Sequence, residues 1–130
     1  MKFYIASRVK NKELVKEMHK ILEKKGHTVS SSWVTENNII PYEQNEQAAR
    51  ERAIQCIKES GDCDVFILIT DTDGAGMYTE LGAAIYANFL SGKPNIYVVG
   101  KFLSRSMFFF YPGVKRVASL EKVLEDIRYL

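Results

Sequence analysis

The segment Asp71-Thr-Asp-Gly-Ala-Gly-Met-Tyr-Thr-Glu80 gathers three carboxylates and two glycines within ten positions. Asp71, Asp73, Gly74 and Gly76 form a turn whose glycines let backbone approach a ligand closely. A helix starting at Met77 would place Glu80 in its first turn, where unpaired N–H groups and the macrodipole favour an ionised carboxylate. Such a carboxylate can serve as a nucleophile. It can equally do no more than complement the helix dipole, so spacing alone leaves both roles open. The run lacks the Gly-Lys-Ser/Thr ending of a Walker A loop, and only Gly74 and Gly76 fit a GxGxxG pattern, so nucleoside triphosphate binding is unsupported.

The elements that must position this segment are legible in the apolar patterning. Residues 2–6, 65–69 and 95–99 are short apolar runs without alternation, as in strands covered on both faces, and 65–69 is the strongest and central one. Residues 28–34 make a weaker strand, interrupted by Ser30-Ser31-Ser32 and suited to a sheet edge; 114–118 is a fifth. Helices are predicted over 11–25, ending at Gly26, over 47–60 with Ala49, Ala53, Ile54 and Ile57 inward, and over 77–91 with Leu81, Ala84, Ile85, Asn88 and Phe89 on one stripe. A closing helix carries Leu120, Val123, Leu124 and Ile127. This alternation predicts one α/β domain over residues 1–130: a doubly wound, five-stranded parallel sheet of Rossmann/flavodoxin-like type.

Ligands of such sheets bind beyond the carboxyl ends of the strands. That rule selects Ser7 and Arg8, residues 33–45, of which 35–45 are a candidate lid, and residues 71–80. Trp33 and Tyr42 flank the lid and offer aromatic faces for a nucleobase, or else pack against the sheet edge. The run Met107-Phe-Phe-Phe-Tyr111 reads as core or as a dimer patch, which predicts a homo-oligomer.

Composition narrows the partners. At 46% hydrophobic and 26% charged residues the chain reads as a folded globular protein rather than a disordered one. A formal charge of +2 with scattered basic residues gives no footprint for nucleic acid, so a small molecule is the expected ligand. No apolar stretch approaches membrane-spanning length, and a strand beginning at Lys2 leaves no room for a signal peptide, so a cytoplasmic location is expected. Cys56, Cys63, His19 and His27 lack ligand spacing; no metal and no cofactor is expected.

The run from Gly74 through Glu80 to Gly82-Ala-Ala, preceded by Asp64-Val-Phe-Ile-Leu-Ile and followed by Gly92-Lys-Pro94, resembles the signature of the nucleoside 2-deoxyribosyltransferase superfamily, which includes deoxynucleoside 5′-monophosphate N-glycosidases. The opening Phe3-Tyr-Ile-Ala-Ser7 adds to the resemblance. It implies that Glu80 attacks an anomeric carbon, with Ser7, Arg8, Trp33, Asp73, Gly74, Gly76 and Met77 around the substrate. A second base or water would then resolve the glycosyl-enzyme with retention of configuration. Gly82 would let the helix pack closely on the sheet. Three positions depart from the pattern: the family's tyrosine register falls on Phe3 with Tyr4 one place away, its helical aspartate falls near Cys56, and the serine of the monophosphate glycosidases falls on Gly74.

The resulting expectation is N-glycosyl transfer or hydrolysis on a nucleoside or nucleotide. A nucleotide-binding module without turnover and a nucleoside monophosphate phosphoribohydrolase are the alternatives. Because residues 71–76 place two carboxylates and no cation beside Glu80, the charges favour neutral nucleosides over 5′-monophosphates, with Ser7 and Arg8 able to reverse that.

Overall fold

The computed structural model describes residues 1–128. Strands β1 (Lys2–Ala6), β2 (Thr28–Val29), β3 (Val65–Ile69), β4 (Asn95–Val99) and β5 (Val114–Val117) form one parallel sheet in the order β2-β1-β3-β4-β5. Helices α1 (Lys12–Lys24), α2 (Glu46–Gly61), α3 (Gly76–Ser91) and α4 (Leu120–Ile127) connect and close it. This is a Rossmann/flavodoxin-like α/β fold, and its strand order reverses direction between β1 and β3. Tyr4 pairs with Phe66 and Ile5 with Ile67, so the two strands that flank the reversal are in direct register.

The apolar runs became the buried strands for the reason their composition suggests. Every residue of β3 is buried, as are Phe3 to Ala6 of β1 and Ile96 to Val99 of β4. Right-handed crossovers then put α1 on one face and α2 and α3 on the other, where α2 and α3 pack together. Gly26 and Gly92, at φ 87° and 81°, take the left-handed conformation that ends α1 and α3. No described helix is long and apolar enough to cross a membrane.

Several expectations required correction. Strand β2 is an edge strand, as expected, but only two residues long. The serines after it bond elsewhere: Ser30 Oγ to the Phe3 carbonyl at 3.3 Å, Ser32 Oγ to Glu59 at 2.9 Å, while Ser31 Oγ lies 2.6 Å from His19 Nε2. The chain then turns through a short 3₁₀ segment, Ser32–Thr35, that buries Trp33 and Val34.

On α2 Ser60 is buried and Ala49 and Cys56 are half-buried, whereas Ala53 is exposed, Ile54 is 68% exposed and Ile57 43% exposed. On α3, Leu81 and Ala84 are buried but Phe89 is 70% exposed. Gly82 faces outward, and a Cβ there would meet nothing within 4 Å, so close packing on the sheet is not its role. Of the aromatic run, which forms a 3₁₀ segment at Met107–Phe110, Phe109 enters the core and stacks on Tyr78, while Met107, Phe108 and Phe110 are exposed.

Candidate active site

A cleft of about 690 Å³ opens beyond the carboxyl ends of β1 and β3, where the strand order reverses. Four segments line it: Ser7 to Lys10 with Lys12; Trp33 with Glu36 to Ile40 and Tyr42; the α2 residues Ala49, Arg52, Ala53, Cys56 and Ile57; and Gly74 to Met77 with Thr79 and Glu80. The structure thus brings together Ser7, Arg8, Trp33, Gly74, Gly76, Met77 and Glu80. Asp73 is exposed and lies outside the cleft lining.

Glu80 sits one residue deeper in its helix than the sequence suggested. Helix α3 begins at Gly76, so Glu80 is its fifth residue and the first turn holds no acidic side chain. Its surroundings do not favour ionisation. Burial among core side chains pushes the carboxyl up to about 7, against the lowering effect of hydrogen bonds from Tyr4 and Cys56, while Glu59 adds repulsion. Desolvation outweighs the dipole because the dipole's influence falls off within the first turn.

The Tyr4 hydroxyl donates to Glu80 Oε1. Strand alternation puts Phe3 and Tyr4 on opposite faces of the sheet. Phe3 meets His27 edge-on at 4.9 Å, whereas Tyr4 stacks on Phe66 at 5.7 Å and reaches Glu80. Burial first, then the Glu80 charge, raise the Tyr4 phenol far above its ordinary range, so it remains a donor. Cys56 stands near the position where the resembled family has an aspartate. Its thiol lines the cleft, and burial followed by the Glu80 charge pushes it up to about 11.

Asp71 does not bear on the cleft as an uncompensated charge. Its carboxylate accepts from Arg8 Nη1 at 3.2 Å, Asn11 Nδ2 at 3.1 Å and the Thr72 N–H at 2.7 Å, with Lys10 Nζ at 3.5 Å. Desolvation opposes the ionised form, but the bonds from Asn11, Thr72 and Arg8 and the Lys10 charge prevail and hold Asp71 well below the usual carboxylate range. This knot ties the exit of β1 to the exit of β3. The expected repulsion of a phosphate by Asp71 and Asp73 therefore loses its basis: one carboxylate is neutralised and the other lies outside the cleft. Of the cations along the lining, Arg8 and Lys10 are paired with Asp71 and Arg52 Nη2 lies 3.7 Å from Glu36 Oε2, while Lys12 is in no ion pair among the described residues.

The wall opposite the glycine turn is anchored by two of those cations. Lys12 Nζ donates to the Glu36 carbonyl at 2.9 Å, and Arg52 Nη2 donates to the Asn37 carbonyl at 2.7 Å. Trp33 is buried with Nε1 donating to the Ile5 carbonyl at 2.8 Å, so it packs against the sheet while bordering the cleft; Tyr42 is exposed at the lip. Gly74 has φ 140°, a backbone conformation that residues with a side chain rarely adopt, so this turn favours glycine. Ser7 Oγ is turned to the Arg8 carbonyl at 2.9 Å.

No protein-family model and no curated protein matches the sequence. Among solved structures, the chain is similar to the Clostridium botulinum CMP N-glycosidase BcmB, at 19% identity and a TM-score of 0.60 over 100% of both chains. At that identity the similarity shows the shared fold.

Proposed function

We propose that this chain is an N-glycosidase acting on a nucleoside 5′-monophosphate, with Glu80 as nucleophile. The observation that carries this reading is the Glu80 carboxylate itself, half-buried at the cleft, hydrogen-bonded by Tyr4 and balanced near neutrality at about 7. A carboxyl balanced there supplies a weakly solvated anion in an appreciable fraction of molecules at neutral pH, which suits attack on an electrophilic carbon.

In the proposed reaction a Glu80 oxygen forms a bond to C1′ as the C1′–N bond breaks. The bonding pair leaves with the base, which takes up a proton from solvent. Water then attacks C1′ and gives up a proton to solvent, the ester C–O bond breaks with its pair returning to Glu80, and the sugar phosphate leaves with retained configuration. A second base in place of water would make the outcome transfer.

Support for a phosphorylated substrate comes from the cations that border the cleft: Arg8 and Lys10, which also hold Asp71, Arg52, which also faces Glu36, and Lys12, together outnumbering the carboxylates Asp71, Glu36 and Glu80. The nucleotide substrate of the similar BcmB structure is consistent with it. The test is a panel of nucleosides and their 5′-monophosphates, with free base followed by chromatography. Base release from a monophosphate, together with a sugar-phosphate mass adduct on Glu80 when a slow 2-fluoro analogue is used, is the expected result. Binding of nucleotides with no base released from any of them would favour the non-catalytic module instead.

A further inference from the structure

Ala49, Ala53 and Ile57 recur at every fourth position of α2, and all three line the cleft. Their spacing is that of a core face, yet Ala53 and Ile57 are exposed and Ala49 is half-buried. The loop after β2 adds Ile40 and Tyr42, which line the same cleft and are 61% and 56% exposed. Apolar side chains left open to water around a concavity mark a place that a ligand, rather than the core, covers.

We propose that Ile40, Tyr42, Ala49, Ala53 and Ile57 form the subsite of the leaving base, and that it takes a two-ring base carrying an apolar substituent in preference to a small unsubstituted one. This rests on the proposed glycosidase reading. The apolar wall belongs to the same cleft as Glu80 and the cations, so one molecule can meet all of them. In a nucleoside 5′-monophosphate the phosphate is matched by cations and the sugar by hydrogen-bonding groups. Only the base presents broad faces that suit such a wall.

The wall is fixed by the protein's own hydrogen bonds. Lys12 of α1 and Arg52 of α2 hold the Glu36 and Asn37 carbonyls, and the Ile40 N–H donates to Asn38 Oδ1 at 2.9 Å. Among the side chains of the wall only the Tyr42 hydroxyl can form a hydrogen bond. A base whose polar edge faced the isoleucines and alanines would lose water without gaining partners, whereas a hydrocarbon substituent would gain contact. Size points the same way. Ala49 and Ala53, one turn apart, put only a methyl each into a cleft of about 690 Å³, which leaves room beyond a sugar phosphate and a single pyrimidine ring. Ala53 and Ile57 are therefore specificity-determining positions.

The experiment is titration calorimetry of the full chain carrying Glu80→Gln, which is expected to hold nucleotides without consuming them. The probes are the 5′-monophosphates of cytidine, of adenosine, and of adenosine with a benzyl group on its exocyclic amine. The benzylated nucleotide is expected to bind at least about tenfold more tightly than the cytidine nucleotide, with the adenosine nucleotide between them. Adding Ala53→Gln or Ile57→Asn, both at exposed positions, is expected to weaken the benzylated nucleotide about tenfold while changing the cytidine nucleotide less than about threefold. Equal affinities, tightest binding of the cytidine nucleotide, no binding of any probe, or variants that weaken all three alike would overturn the proposal. Calorimetry needs no turnover. Graded affinities in a chain whose unmodified form releases no base would defeat the glycosidase reading and leave the subsite in place, and base release without the gradation would do the reverse.

Discussion

Tyr4 on β1 and Glu80 on α3, 76 positions apart in the chain, meet through a single hydrogen bond from the phenol to Oε1. The bond joins the sheet to the helix at the floor of the cleft and lowers the carboxyl against the burial that raises it. Tyr4→Phe keeps the ring stacked on Phe66 and removes only the donor. The expected outcome is a folded protein whose kcat falls roughly ten- to hundredfold, the scale of a hydrogen bond to a charged group. Unchanged kcat in steady-state assays of Tyr4→Phe would remove the phenol from the account.

The pH dependence has a definite sign. Glu80 must lose its proton to act as a nucleophile, so kcat/KM is expected to rise about tenfold per pH unit below neutrality and level off above about 7. Cys56, held near 11, contributes no limb in that range. A rate that is highest at pH 5 and declines toward 8 would contradict this assignment.

The same carboxyl makes stability depend on pH in the opposite sense. In the unfolded chain Glu80 ionises near its ordinary 4.5, and in the folded protein near 7, so the folded state binds the extra proton between those values. Its cost to stability is absent below about 4.5, grows as pH rises to about 7 and is fully present above it. Glu80→Gln, which still offers Tyr4 an acceptor, is therefore expected to stabilise the protein at pH 8 by roughly 1 to 3 kcal/mol and to have little effect at pH 4. Urea unfolding at the two pH values checks it; an equal effect at both would show that Glu80 titrates normally.

Selectivity should reside in the cations. Arg8→Ala and Arg52→Ala are expected to raise KM for a 5′-monophosphate by about tenfold or more while changing that for the parent nucleoside little, and the difference should shrink with added salt. Equal effects on both substrates would return these residues to purely structural roles, Arg8 in the Asp71 knot and Arg52 on the loop after β2.

The exposed apolar residues Tyr86, Phe89 and Leu90 of α3 and Ile54 of α2 lie on two helices that pack together, and Tyr86 stacks on Phe89. A face of this kind suits association with a second copy of the chain. Light scattering at micromolar concentration is expected to give the mass of at least two chains, and Phe89→Glu to return it to one. A one-chain mass for the unmodified protein would mean the face has another purpose.

The sequence was most legible where composition and structure demand the same thing. Residues 65–69 could only be a covered strand, and the turn before α3 could only end near Glu80. It was least legible where side chains chose their partners across the fold. Ser30, Ser31 and Ser32 bond to Phe3, His19 and Glu59 beyond a two-residue β2, Ile54 and Ile57 disguise the inward face of α2, and the Asp71 charge is met by Arg8, Lys10 and Asn11 from a distant segment. The phenol was readable in principle, because alternation along β1 puts Phe3 and Tyr4 on opposite faces.

The most direct measurement is the rate of free-base release from a nucleoside 5′-monophosphate by Glu80→Ala beside the unmodified chain, with circular dichroism showing both folded. Loss of the nucleophile is expected to lower kcat by about three powers of ten or more at any substrate concentration. Release by folded Glu80→Ala within tenfold of the unmodified chain would contradict the account.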